Sequence, residues 1–477
     1  MKRLILWWLA TCTAAVTGQP KRALTFDQAL EMTMTRNPEL EAISYEKETA
    51  EKERKAAYGL RLPKASVTGA YIYMGDDMAI DMNDLKAPVG GVLEGLGNLP
   101  NIPPAILQQA SSLLAKDWSM KLQDRSFANV GANITLPLYT GGKINAANNA
   151  AKIKIEEVAE KGNQTRGSLV SELTERYYGL VLALQVVEVR RQVLEGMQHH
   201  LSDAKALEAN GIIAKGERLY AEVHTAEAER ELLKAQKTVE TLYSALSNTL
   251  GGDESTYIPA TSMFILSDIE NVSYFKDLAK QHSPLLKQVG YKKQLATENM
   301  RLQRADFAPQ VALTGMAAFY NYQVSPIIPK WAVGAGVSLK IFDGLNREYK
   351  FSAAKSQIRQ VEAVGHQAES DILTLIDKLY NEMVTYSQQL PSVNASGRFA
   401  EEYLRIKEEA FKEGAAPSSD VVDARLNLAK IRIERLQAAY YYDMMLARLL
   451  EACGQSELFP DYGKRAAAMP IRYEHDF

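Results

Sequence analysis

The chain has 477 residues, with 55 Lys and Arg against 58 Asp and Glu and a formal net charge of −3. That balance lacks the basic footprint that a nucleic-acid partner requires. Two cysteines, Cys12 and Cys453, supply neither a disulfide framework nor a cysteine-rich zinc site.

Residues 1–18 read as a secretory signal peptide: Lys2 and Arg3, an apolar run from Leu4 to Ala10, then small residues through Gly18. A second reading places lipid attachment at Cys12, because Leu9-Ala10-Thr11-Cys12 approaches a lipid-attachment motif, although Thr11 suits it poorly. Beyond this leader no run of 18 or more apolar residues occurs, so the mature chain has no hydrophobic helix of spanning length.

Residues 19–251 read as one structural repeat. A helical stretch is predicted over about 27–62, with Asn37-Pro38 inside it and Leu62-Pro63 at its end. A β-hairpin follows over about 64–138. Its first strand sets Val67, Tyr71 and Tyr73 on one face, and its second alternates Ala128, Val130, Ala132, Ile134, Leu136 and Leu138 with polar or small residues. Between the strands lies an insert at 75–126, rich in Gly, Pro, Asp and Asn, which reads as a long outer loop with a short helical stretch from Ala105 to Ala115. A helix over 142–208 contains no proline and would extend roughly 100 Å at 1.5 Å per residue. Leu173, Tyr177, Leu180, Leu184, Val187, Leu194 and Leu201 mark a heptad seam along it. After Gly211 a second helix returns over 213–250.

Residues 252–454 repeat the plan, with helices at about 272–307, 345–412 and 417–453 and a hairpin at about 310–342. The hairpin's apolar positions are Val311, Leu313 and Phe319, then Trp331, Val333, Ala335, Val337, Leu339 and Ile341. Pro417 suits a first helical turn. Pro391 and Gly397, inside the long helix, predict a kink or local break near Pro391. Cys453 falls on an apolar helical face and is expected in the core, and 455–477 read as a polar C-terminal tail.

The duplication rests on ordered matches. Pro38 and Pro284, like Pro63 and Pro309, are offset by 246 residues, whereas Gly141 and Gly344, Gly211 and Gly414, and Gly251 and Gly454 are offset by 203. The difference of 43 residues is the insert of the first repeat. Strands of about ten residues with an apolar face and flanking aromatics are long enough to cross a bilayer when tilted. The same pattern also suits a sheet packed on a soluble core. In lipid, four strands cannot close a barrel and an open edge is not tolerated, so several chains would have to share one barrel.

These residues resemble the TolC family of outer-membrane channel proteins over nearly the whole mature chain. The resemblance is carried by Leu24-Thr25-Phe26-Asp27-Gln28-Ala29-Leu30 with Asn37-Pro38, by Leu62-Pro63, by the strand ends Leu136-Pro137-Leu138-Tyr139 and Leu339-Lys340-Ile341-Phe342 before glycine, and by the two glycine turns. It implies a mainly α fold with a membrane β-barrel, in which a homotrimer forms a 12-stranded barrel in outer-membrane lipid and a long α-helical tunnel in the periplasm. It further implies passive export, driven by an inner-membrane transporter through a periplasmic adaptor protein. No activated nucleophile or phosphate-binding glycine loop accompanies the paired aspartates Asp420 and Asp423, so no catalysis, cofactor or metal is expected. The departures are the insert, Lys340 where the first repeat has Pro137, and Pro391.

The resemblance implies an adaptor-docking tip at the helix turns, formed by Asn210, Gly211, Ile212 and Ile213 with Glu413, Gly414, Ala415 and Ala416. It also implies an acidic pore constriction at Asp420 and Asp423, with Glu217 at the matching position of the first repeat. The spacing of three puts Asp420 and Asp423 on one helix face, and two solvated carboxylates near a helix N-terminus would show the same pattern. The family's arginine at the turn is replaced by Ala416, which leaves the closing lock unassigned. His199, His200 and Asp203 lie close on one helix and only His199 and Asp203 share a face, and a solvated helix surface explains them better than a metal site. Two rival functions remain at this stage: one-step protein secretion through the same duct, and a periplasmic coiled-coil scaffold.

Overall fold

The computed structural model describes residues 22–97, 103–252 and 257–473. The leader and Cys12 lie outside them. The chain opens with β1 (Arg22–Leu24) and α1 (Phe26–Arg36). Thr25 starts α1 with a capping box: its Oγ1 accepts from Gln28 N, and Gln28 Oε1 accepts from Thr25 N. α1 stops at Asn37, where the following proline disfavours helical backbone, and α2 (Pro38–Gly59) begins on that proline. The single stretch expected over 27–62 is therefore two helices. The same punctuation at Ser283-Pro284 later separates α7 (Val272–His282) from α8 (Pro284–Ala305).

After α2 come β2 (Lys64–Tyr73), the insert with β3 (Met78–Asp81), α3 (Lys86–Gly97), α4 (Pro104–Leu114) and β4 (Ser119–Gln123), and then β5 (Ser126–Tyr139). The insert is more ordered than a loop: β3 and β4 pair as an antiparallel ribbon that carries both helices. α5 (Lys143–Ala209) and α6 (Lys215–Thr249) follow, then β6 (Tyr257–Pro259), β7 (Met263–Leu266), α7 and α8, β8 (Gln310–Tyr322) and β9 (Trp331–Ser338). The chain continues with α9 (Asn346–Lys412), α10 (Ser418–Ala452), α11 (Phe459–Gly463) and β10 (Ala468–Ile471). β9 ends three residues short of the apolar alternation. The carbonyls of Lys340 and Ile341 are taken by Arg347, through Nη1 at 2.6 Å and Nη2 at 3.1 Å, and not by a neighbouring strand.

The break expected near Pro391 does not occur, because α9 runs through it for 67 residues. Proline there removes one N–H, which would have paired with the carbonyl of Ser387. Pro391 lies on the exposed side of the helix, so water can serve that carbonyl.

Two compact units result, one comprising residues up to Glu51, Ile153–Gln294 and residues from Ile358, the other Lys52–Lys152 and Leu295–Gln357. The first holds the main core. Phe26, Tyr177, Tyr178 and Phe459 form an aromatic nucleus with ring centroids 5.3–6.2 Å apart. Tyr177 Oη donates to Leu24 O at 2.6 Å and accepts from Ala260 N and Thr261 N. That phenol ties the parallel pair of β1 and β6 to α5. The segment after α10 is no polar tail within its described part: Phe459, Tyr462 and Ile471 are buried, and β10 pairs antiparallel with β7. Cys453 is fully buried, its Sγ donating to Phe275 O.

The heptad seam holds only at its start. Leu173, Tyr177 and Leu180 are fully buried, but farther along the buried stripe passes to Val189, Val193, Met197, His200 and Ala204. A straight α-helix drifts off a strict seven-residue repeat, so the contact line migrates across its surface.

The second unit is built on an antiparallel sheet in the order β2-β5-β8-β9. β2 and β9 are its free edges.

Candidate functional site

The sheet has two chemically distinct faces. The register sets Val67 opposite Ala132, Ala132 opposite Ala317, and Ala317 opposite Trp331, so these share one face with Tyr71, Tyr73, Ile134, Leu136, Leu313, Val333 and Val337. Nothing among the described residues covers it: Val67, Tyr71, Trp331, Val333 and Val337 are 67–71% exposed. The opposite face is mainly polar or small, although it also carries Ile72, Phe127 and Met316. Asn129 Nδ2 donates to Asn321 Oδ1 at 2.6 Å, and Asn133 Nδ2 donates to Thr68 Oγ1 at 3.0 Å. A β-bulge between Val130 and Gly131 shifts the pairing so that Tyr320 and Tyr322 stand opposite Val130 and Ala128, in place of the expected Phe319.

The second place is the end of the helical hairpins in the first unit. α5 and α9 both terminate in Schellman turns. Gly211 N donates to Glu208 O and Ile212 N to Leu207 O, both at 2.9 Å, while Gly414 N donates to Phe411 O at 2.9 Å and Ala415 N to Ala410 O at 2.8 Å. The turns need φ of +73° at Gly211 and +72° at Gly414, backbone that glycine adopts without a Cβ clash. They also touch, since a Cβ at Gly414 would lie 3.1 Å from Ile212 Cγ2. Asn210, Gly211, Ile212, Glu413, Gly414 and Ala415 are exposed, and Ile213 and Ala416 are half-buried. Behind the turns the hairpins pack through Ala204, Ala221, Ala400 and Ala424 around Phe411, small residues that let helices approach closely.

Ser418, the first residue of α10, is wholly buried. Its N–H donates to Glu217 Oε2 at 2.6 Å, and its Oγ shares a 2.6 Å hydrogen bond with His200 Nε2. α10 has Pro417 at its N-cap, which gives no side-chain cap. Glu217 of α6 thus provides the carboxylate that a helix N-terminus favours. His200 packs against the Phe411 ring at 4.4 Å. Burial, followed by the neighbouring Arg425 guanidinium, pushes the imidazole down to about 4 against opposing effects of Asp203 and Glu217.

The two aspartates have different surroundings. Asp420 Oδ2 accepts from Lys407 Nζ of α9 at 2.7 Å, and that pairing raises the Lys407 pKa. Asp423 is exposed. Farther from the turn Arg425 pairs with Glu408 across the α9–α10 hairpin and lies over Gly196 of α5, where any side chain would collide with it. Among the described residues no group of His, Cys, Asp and Glu has the arrangement to hold a metal.

Sequence reasoning missed Lys407, Arg425 and Ser418, and it placed His200 with His199 and Asp203 on a solvated helix surface, whereas His200 is buried against Phe411 and Ser418. One signal could have found the first: Lys407 and Asp420 lie nearly equidistant from the Gly414 turn, where an antiparallel hairpin brings residues face to face. The His200 to Ser418 contact joins positions 218 apart and leaves no local mark.

A model of the family described as outer membrane efflux protein matches residues 29–252 and 276–455. Protein CyaE of Bordetella pertussis is 24% identical over 286 residues, covering 57% of this chain and only 59% of CyaE's own length. The outer membrane protein VceC of Vibrio cholerae has the same fold at 16% identity, with a TM-score of 0.68 over 90% of this chain and 96% of VceC. The CmeC outer membrane channel of Campylobacter jejuni does so at 15% identity, with a TM-score of 0.68 over 93% of this chain and 89% of CmeC.

Proposed function

The chain belongs to the outer membrane efflux protein family, and from that premise we propose that it acts as a homotrimeric exit duct, with one barrel in the outer membrane and a helical tunnel in the periplasm. The supporting observation is the two-faced sheet with free edges. Its aromatic-rich apolar face suits lipid and its amide-lined face suits a water-filled lumen. Unpaired edges in lipid leave backbone groups without partners, at several kcal/mol each. Three copies of the order β2-β5-β8-β9, each β9 pairing with the next β2, remove every edge and give twelve strands. No helix among the described residues is long and apolar enough to cross a membrane, so the sheet is the part that would span.

The duct is passive in this reading. An inner-membrane transporter drives export and a periplasmic adaptor docks on the exposed turns at 210–213 and 413–416, with Asp420 and Asp423 ringing the constriction. CmeC, of the same fold, is described as an outer membrane channel, in keeping with this role. The leader at 1–18 would direct export from the cytoplasm.

Mass measurement after detergent extraction of the outer-membrane fraction, with reconstitution into planar bilayers, tests the proposal. A detergent-dependent trimer that conducts ions is expected. Recovery as a water-soluble monomer would overturn it and favour the periplasmic scaffold.

A further inference from the structure

The insert is an anchored module with an uncovered apolar surface. At its base Met74 N donates to Arg125 O at 2.7 Å, and the Asp77 carboxylate accepts from Arg125 N at 2.7 Å and from Lys121 Nζ at 2.9 Å. Higher up, Asn83 accepts from Trp118 N and donates to Asp117, and Trp118 Nε1 donates to Leu113 O. Gln123 fixes the end of β4 to its own β8–β9 turn, donating to Gln323 O at 2.5 Å and accepting from Ser325 N at 2.7 Å.

On this base α3 and α4 turn Val89, Val92, Leu96, Ile106 and Leu113 outward, each 41–65% exposed. α4 contains no charged residue, and α3 has only Lys86 and Glu94. A patch of this kind on an ordered module calls for a partner. Strand direction points to which one. β2 leaves the sheet into the insert, and β9 enters the sheet from the β8–β9 turn. In a ring of copies the neighbour's β9 runs antiparallel to β2, which brings that neighbour's turn beside the insert. This turn exposes Ile327 at 71% and Ile328 at 48%.

We propose that the outer face of α3 and α4 packs on Ile327 and Ile328 of the adjacent protomer, so that each insert clasps the next copy of this chain above the sheet. The inference rests on the trimeric reading given above. It assigns the 43-residue excess of the first repeat a role in assembly: buried apolar contact is added at the seam where strand pairing alone joins the copies.

Site-directed crosslinking in outer membranes tests it, with Cys453 buried and out of reach of a bis-maleimide. Val92→Cys combined with Ile327→Cys in one chain is expected to give covalent dimers and trimers, and neither single variant should. A reference pair across the sheet edges, Val67→Cys with Val333→Cys, reports on the ring itself. Linkage of the reference pair without linkage of the insert pair overturns the clasp while leaving the trimer intact. Absence of both overturns the trimer, and the clasp with it. Self-linkage of Val92→Cys alone would place the inserts against each other on the threefold axis, and quenching of a Val92→Cys fluorophore by brominated lipid would place them in the membrane; either result overturns the proposal. Replacing Lys86–Leu114 by a Gly-Ser linker should lower the dissociation temperature of the detergent-solubilised trimer, and an unchanged temperature would also overturn it.

Discussion

At Ser418 a backbone N–H and a hydroxyl are engaged by two different helices, Glu217 of α6 and His200 of α5. The imidazole serves this junction in its neutral form, and its surroundings keep it so. Burial and Arg425 lower its pKa to about 4, and Asp203 and Glu217 only partly oppose them. Glu408, Glu195, His199 and Lys412 line the same recess. In the unfolded chain the ring would titrate near 6.5. Between about 6.5 and 4 the unfolded state therefore holds a proton that the folded state does not, and stability rises with pH over that window. The contribution of His200 is complete above 6.5 and is lost progressively as the pH falls toward 4. Thermal unfolding followed by circular dichroism at pH 7.5 and at pH 4.5 should show a smaller acid-side loss in His200→Gln than in the parent. Equal losses in the two proteins would remove His200 from the account.

Among the elements, α9 departs most from expectation, because a helix of 67 residues carries Pro391 without interruption. A proline inside a helix costs about 3 kcal/mol relative to alanine, and here the exposed position lets water meet the orphaned carbonyl. Pro391→Ala should restore the bond to Ser387 O and raise stability by about 1–3 kcal/mol, read as a higher unfolding midpoint. A lower midpoint would mean that the proline is required. The contrast with the strands explains what a sequence can reveal. Trp331, Val333, Ala335 and Val337 alternate because the two faces of the sheet differ in chemistry, a constraint written locally at period two. The pairing of β7 with β10 has no such local mark: Met263 and Ile471 are far apart in sequence, and four-residue strands show no period. Glu217 was legible as an acidic residue after a glycine turn. That its carboxylate caps α10 depends on a contact 201 residues away. Turns, helices and sheet faces are local properties and could be read; the bonds joining the hairpins are not local and could not.

At the scale of the whole assembly, threefold symmetry would multiply every charge near the axis, so the partners of each carboxylate decide its effect on passing ions. Asp420 is neutralised at 2.7 Å by Lys407, whereas Asp423 faces solvent. A paired carboxylate contributes little net field, and three exposed ones add in the same direction. The two aspartates, equivalent by spacing, should therefore differ in function. In planar bilayers Asp423→Asn is expected to weaken block by a multivalent cation by about tenfold, roughly 1.4 kcal/mol, and Asp420→Asn by only a few-fold. Lys407→Gln supplies the converse, since it frees the Asp420 carboxylate and should strengthen block above the parent level. Equal effects of the two aspartate variants, together with no gain from Lys407→Gln, would show that the α9–α10 ion pair does not persist in the assembled pore. The selectivity of the constriction would then follow from the number of carboxylates alone, regardless of how each hairpin pairs them.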